Sequence, residues 1–172
     1  MYKRILVTLD RSIASEAILP QVESIAGRSE ADVFLLTVAE VPKATAETPH
    51  PLIVGGAVAP GGVVEVPRSR TMEDKGQALE RTKQELSAYL EEKAAALKER
   101  GLHVESAVGF GDPAEEILAA AKARDVDLIM MATHGRTGLA QVIFGSVAAR
   151  VLGSGVRPVL LVRPDRLDRG SS

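Results

Sequence analysis

Leu128-Ile129-Met130-Met131-Ala132-Thr133-His134-Gly135-Arg136-Thr137-Gly138-Leu139-Ala140-Gln141-Val142-Ile143-Phe144-Gly145-Ser146-Val147 leaves a short apolar run, crosses a glycine-containing loop and enters a helix-like pattern continued by Ala148, Val151 and Leu152. The run Leu128 to Ala132 has the length of a strand, not of a helix. Four others resemble it: Ile5 to Leu9, Val33 to Val38, Val104 to Val108 and Val159 to Val162. Helix-like segments, roughly Ile13 to Arg28, Met72 to Arg100, Pro113 to Arg124 and Ser146 to Leu152, separate nearly all of them. Strand and helix alternate, which predicts an α/β fold with a parallel sheet and right-handed crossovers.

Composition agrees with that class. The 172 residues are 45% hydrophobic but only 3% aromatic, so the core must be built from Val, Ile, Leu and Ala, as in parallel sheets covered on both faces. A chain of this length is expected to make one domain. Lys plus Arg number 21 against 23 for Asp plus Glu, leaving no overall field to draw in nucleic acid, and the aromatics on which bases would stack are scarce. The absence of Cys excludes disulfides, thiol nucleophiles, thiolate zinc sites and iron–sulfur clusters. Ile5 to Leu9 is too brief for a signal-peptide core and no apolar run reaches membrane-spanning length, so a cytoplasmic protein without a membrane partner is expected.

Leu79, Leu86, Leu90 and Leu97 form one stripe of the longest helix and predict that it lies on the sheet. Ahead of it, Pro42 to Arg70 is rich in Pro and Gly and reads as an insertion over about 42–71, either a functional lid or a tolerated loop. The expected domain is 1–164, with a frayed tail at 165–172.

The opening stretch also carries the chemistry. Backbone N–H groups at the start of the helix after Gly145 lack intrahelical partners, and the helix dipole favours negative charge there. Gly145 keeps a Cβ out of an anion's way, Ser146 offers a hydroxyl, and Gly135 and Gly138 free the loop. The residues equally allow Ser146 to be a plain helix cap. Arg136 either pairs with a phosphate tail or is a solvated loop charge. No Gly-Lys-Ser or Gly-Lys-Thr of a Walker loop occurs.

These residues resemble the nucleotide-binding signature of the universal stress protein superfamily: Gly, two residues, Gly, nine residues, then Gly-Ser or Gly-Thr. Gly135, Arg136 to Phe144 and Gly145-Ser146 match it, while Ala132 replaces the first Gly. Lys3 to Ser12 resembles the family's first strand and acidic turn, Leu35 to Val38 its second strand, Val108 to Pro113 with Glu116-Ile117 its third crossover, and Arg157 to Val162 its closing strand. The resemblance implies a three-layer sandwich, adenine nucleotide α-hydrolase-like, with a five-stranded parallel sheet in the order 3-2-1-4-5. It implies ATP, or ADP or AMP, bound where strands 1 and 4 part, with Mg²⁺ arriving on the nucleotide. Carried over by position, Asp10 holds the ribose or base edge, the Val38 backbone reads adenine, Ala132 lies beside the ribose, and Gly135, Gly145, Ser146 and Val147 surround the phosphates. Thr8, Met131, His134, Arg136 and Gly138 complete the expected contact set. The family also implies a homodimer through the edge strand Val159 to Val162.

Asp10 has an alternative as a cap for the following helix. Ala132 adds a methyl and is expected to weaken binding without abolishing it. Gly109-Phe110-Gly111-Asp112-Pro113-Ala114 matches a dinucleotide fingerprint, but Asp112 reads better as a helix cap with Pro113 at the first helical position and Glu115 where a capping box expects it. His134 lacks a placed nucleophile and an orienting acid, so it is expected to shape its loop. The reading is therefore a stress-response nucleotide-binding module, with three rivals: a slow ATPase, a nucleotide-free protein acting through partner binding, and a flavodoxin-like carrier, which the shortage of aromatics disfavours.

Overall fold

Every second residue of the apolar runs must face the same side of a sheet, and here both sides are apolar. The structure is a computed structural model that describes residues 1–40, 68–133 and 145–163, with 68–75 as backbone alone. Strands β1 (Arg4–Thr8), β2 (Asp32–Ala39), β3 (Val104–Phe110), β4 (Leu128–Ala132) and β5 (Val159–Val162) form one five-stranded sheet. Its order is β3-β2-β1-β4-β5, and each neighbouring pair is parallel. The helices are α1 (Ile13–Glu16), α2 (Leu19–Ser29), α3 (Arg68–Glu99), α4 (Pro113–Ala123) and α5 (Ser146–Gly153).

On one face Ile5, Val7, Val33, Leu35, Leu128 and Met130 pack against Val22 and Ala26 of α2 and Leu90, Ala94 and Leu97 of α3. On the other, Leu6, Phe34, Leu36, Ile129 and Met131 meet Ala114, Ile117 and Ala121 of α4 and Ala148 and Val151 of α5. This is the three-layer arrangement the resemblance implies, and each fully buried aliphatic side chain contributes about 1.5–3 kcal/mol. Strand β5 is half-buried along its length and lies at the sheet edge, with β3 at the other.

Three details differ from the sequence reading. The helix expected over Ile13 to Arg28 is two helices, because Pro20 has no N–H to donate and its ring would clash with the carbonyl of Glu16. Helix α3 begins at Arg68, so the last residues assigned to the insertion are helical; residues 42–67 and the tail lie outside the described residues. Leu79 does not join the buried stripe: it is 40% exposed, whereas Leu86, Leu90, Ala94 and Leu97 are at most 4% exposed. With 32 residues, α3 is about 48 Å long, against roughly 27 Å for β2. Its span 76–85 has no buried side chain.

The Gly109 to Ala114 segment builds a helix start. Asp112 is the N-cap of α4, accepting from the Glu115 N–H at 3.0 Å, and Pro113 opens the helix. Gly111 has φ +145, and a Cβ there would meet the Glu116 carboxylate at 3.4 Å. The glycines accommodate Glu116 of the chain itself.

Candidate functional site

Strand β1 is followed by a crossover on one face of the sheet and β4 by a crossover on the other, so the chain segments leaving their carboxyl ends diverge. Open α/β sheets bind ligands in such a crevice. A cavity of about 470 Å³ lies there, of a size suited to a small-molecule ligand. Thr8, Leu9 and Asp10 line it from β1, Leu36, Val38 and Glu40 from β2, and Met131 and Ala132 from β4. Gly145, Ser146, Val147 and Ala148 close one side at the start of α5, and Pro113 and Ile117 of α4 and Ser15 of α1 complete the wall. The structure thus gathers Thr8, Asp10, Val38, Met131, Ala132, Gly145, Ser146 and Val147 around one space. His134, Gly135, Arg136 and Gly138 lie outside the described residues.

At the end of β1 the backbone ladder gives way to side-chain bonds. The Leu9 N–H donates to the Leu36 carbonyl at 2.9 Å, and the buried Thr37 hydroxyl donates to the Leu9 carbonyl at 2.9 Å. Beyond it the chain turns through Arg11, at φ 64 in the left-handed region that costs a side-chain-bearing residue roughly 1–2 kcal/mol. Hydrogen bonds hold that turn. Asp10 Oδ1 accepts from the Ser12 N–H at 3.0 Å and from the Ser12 hydroxyl at 2.6 Å. Ser12, not Asp10, is the N-cap of α1, its oxygen accepting from the Ser15 N–H at 3.0 Å. The helix-cap alternative for Asp10 therefore resolves into a carboxylate that fixes the capping serine.

Across the cavity, Gly145 is the N-cap of α5, and the Ala149 N–H donates to its carbonyl at 2.9 Å. Ser146 is the first helical residue and Gly145 the N-cap, so the plain-cap alternative for Ser146 does not hold. Gly145 has φ −57 and ψ 154, which any residue can adopt, and a Cβ built on it has no atom within 4 Å. Among the described residues its glycine is needed neither for backbone conformation nor for packing.

The charged residues among the described lining are Asp10 and Glu40. Positive potential on the α5 side comes from peptide N–H groups. Tyr89 of α3 stands behind Asp10: burial pushes its hydroxyl pKa up, assisted by the Glu16 and Asp10 carboxylates. Its hydroxyl oxygen is buried with no partner in hydrogen-bond geometry among the described residues, although Glu16 and Ser15 lie close enough to bias its titration. Leu9, Ser15, Leu36, Glu40, Pro113, Ile117 and Ala148 line the cavity without being among the expected contacts. For Pro113 and Ile117 the available signal was their spacing of four on a helix entering at the crevice; Ser15 lies three residues after the capping serine.

A family model described as the Universal stress protein family matches residues 57–163. Universal stress protein MJ0577 of Methanocaldococcus jannaschii is 30% identical over 163 residues, covering 95% of this chain and 96% of that protein. Universal stress protein YxiE of Bacillus subtilis is 29% identical over 163 residues, covering 95% and 100%. The solved structure of MJ0577 superposes with a TM-score of 0.70 at 26% identity, over 100% of this chain and 99% of that one. Two more distant structures share the fold: a universal stress protein in complex with cAMP, at TM-score 0.61 and 20% identity over 95% and 98% of the two chains, and one from Archaeoglobus fulgidus in complex with dAMP, at TM-score 0.54 and 18% identity over 93% and 97%.

Proposed function

The chain belongs to the universal stress protein family, and from that premise we propose that its crevice binds an adenine nucleotide, ATP in the first instance, as the regulatory input of a stress-response binding module. The observation that carries the reading is the cavity itself, with the Asp10 turn on one side and the first turn of α5 on the other. In this reading Asp10 takes a ribose hydroxyl, the Val38 backbone the base edge, and the amides of Ser146 and Val147 the phosphates, with Gly145 leaving them room. Thr8, Met131 and Ala132 form the floor. The loop residues His134, Gly135, Arg136 and Gly138 extend the same cradle. Family relatives in complex with cAMP and with dAMP support an adenine ligand.

No group of three or more His, Cys, Asp or Glu side chains suited to a metal occurs among the described residues. Mg²⁺ would therefore enter on the phosphates and keep most of its water. The proposal includes a cytoplasmic homodimer formed through β5, whose half-buried edge offers unpaired backbone groups. No helix among the described residues is long and apolar enough to cross a membrane.

Mass spectrometry of small molecules released from the purified protein should find an adenine nucleotide. Calorimetric titration should show saturable ATP binding, weakened at least about tenfold by Gly145→Val, whose backbone geometry valine can adopt. Equal affinity of parent and variant would remove the phosphate cradle from the reading. Sedimentation of the purified chain as a monomer at all concentrations would remove the dimer.

A further inference from the structure

Ser15 lines the crevice yet is only 3% exposed, and it is one of few buried polar residues among those described. Its hydroxyl accepts the backbone N–H of Asp10 at 3.2 Å and donates to the Ser12 carbonyl at 2.9 Å. Its own N–H donates to the Ser12 hydroxyl, and that hydroxyl donates to Asp10 Oδ1. The bonds close a ring: the Ser15 hydroxyl grips the Asp10 backbone N–H and the Ser12 carbonyl, while Ser12 holds the Asp10 carboxylate. They also over-determine a turn containing a left-handed arginine, Arg11, which would otherwise relax to a commoner conformation and carry Asp10 with it.

We infer that Ser15 is the positioning residue for sugar recognition: by fixing the Asp10 backbone and the start of the turn that carries it, it sets how strongly the site distinguishes a ligand's ribose hydroxyls from their absence. This inference rests on the proposed nucleotide site and deepens it. A carboxylate recognises a hydroxyl only within a narrow range of distance and angle. A site built around such a bond disfavours the analogue lacking the hydroxyl, because the bond to the carboxylate is then not formed. A slackened Asp10 can shift to find water, and the discrimination fades while the phosphate contacts on α5 remain.

The test compares affinities for ATP, 2′-deoxy-ATP and 3′-deoxy-ATP by calorimetry on the full chain. The parent should prefer ATP over at least one deoxy analogue by about tenfold or more, the usual worth of a hydrogen bond to a charged group. Ser15→Ala should reduce that ratio to below about threefold while binding of the deoxy analogue is nearly unchanged, and Asp10→Ala should do the same. A merely structural role would lower all three affinities together. Ser15→Cys, close in volume but a poor hydrogen-bonding group, repeats the measurement should Ser15→Ala fail to fold. A ratio retained in the folded Ser15 variants overturns the inference and leaves the nucleotide site standing. A parent that binds none of the three nucleotides overturns both.

Discussion

Arg150 of α5 reaches across to α4, its Nη1 donating to both carboxylate oxygens of Asp112 at 2.8 and 2.7 Å. That guanidinium, with the Glu115 N–H, holds the Asp112 pKa below its ordinary value. A carboxylate so depressed adds stability above its unfolded-chain pKa of about 4, and the contribution disappears as pH falls through the lowered value. Asp112→Asn keeps a capping oxygen but loses the charge. Its melting temperature should lie below the parent's at pH 7, and the gap should close as melts are repeated from about pH 5 towards about pH 2. Tyr89→Phe should behave differently. Removing a buried hydroxyl that has no partner in hydrogen-bond geometry among the described residues leaves stability within about 0.5 kcal/mol of the parent or raises it, as urea unfolding would measure. At this scale the sequence was informative where a residue's place along the chain decides its role. Asp10 follows a strand and Ser146 opens a helix, so both could be placed in the crevice, whereas Ser15 lies within a helix and reaches it where its hydroxyl takes the Asp10 N–H.

Helix α3 illustrates how packing selects among similar residues. Leu79 and Leu90 sit on what reads as one stripe, yet Leu90 is 1% exposed and Leu79 40%. Leu90→Ala should cost about 2–5 kcal/mol, and Leu79→Ala no more than about 0.5 kcal/mol; chemical denaturation of the two variants checks the contrast. Periodicity reveals which face of a helix is apolar, but the sheet's extent decides how much of that face is covered. The inner strands β1, β2 and β4 were the most legible elements, because burial on both sides leaves near-continuous apolar runs. The break between α1 and α2 is written in Pro20, which the helix-like reading of Ile13 to Arg28 spans.

At the scale of the molecule, the crevice draws on segments at both ends of the chain, so it exists only when the sheet is assembled in its β3-β2-β1-β4-β5 order. A nucleotide that binds this state alone should stabilise it by about 2.7 kcal/mol at a hundred times its Kd, seen as a melting shift of several degrees that Gly145→Val cuts to about half or less at the same ATP concentration. The sheet order was supplied by the family resemblance; alternation alone predicted parallel strands and left their order open. The mismatch between α3 and the sheet it crosses has a further consequence. Its amide protons at 76–85 are guarded only by the helix's own hydrogen bonds, while those from Leu86 onward are also pinned by side chains locked into the sheet. In deuterated water the first group should exchange through fraying within the native state, and the second only when the sheet itself comes apart. One continuous helix would thus record two separate opening energies.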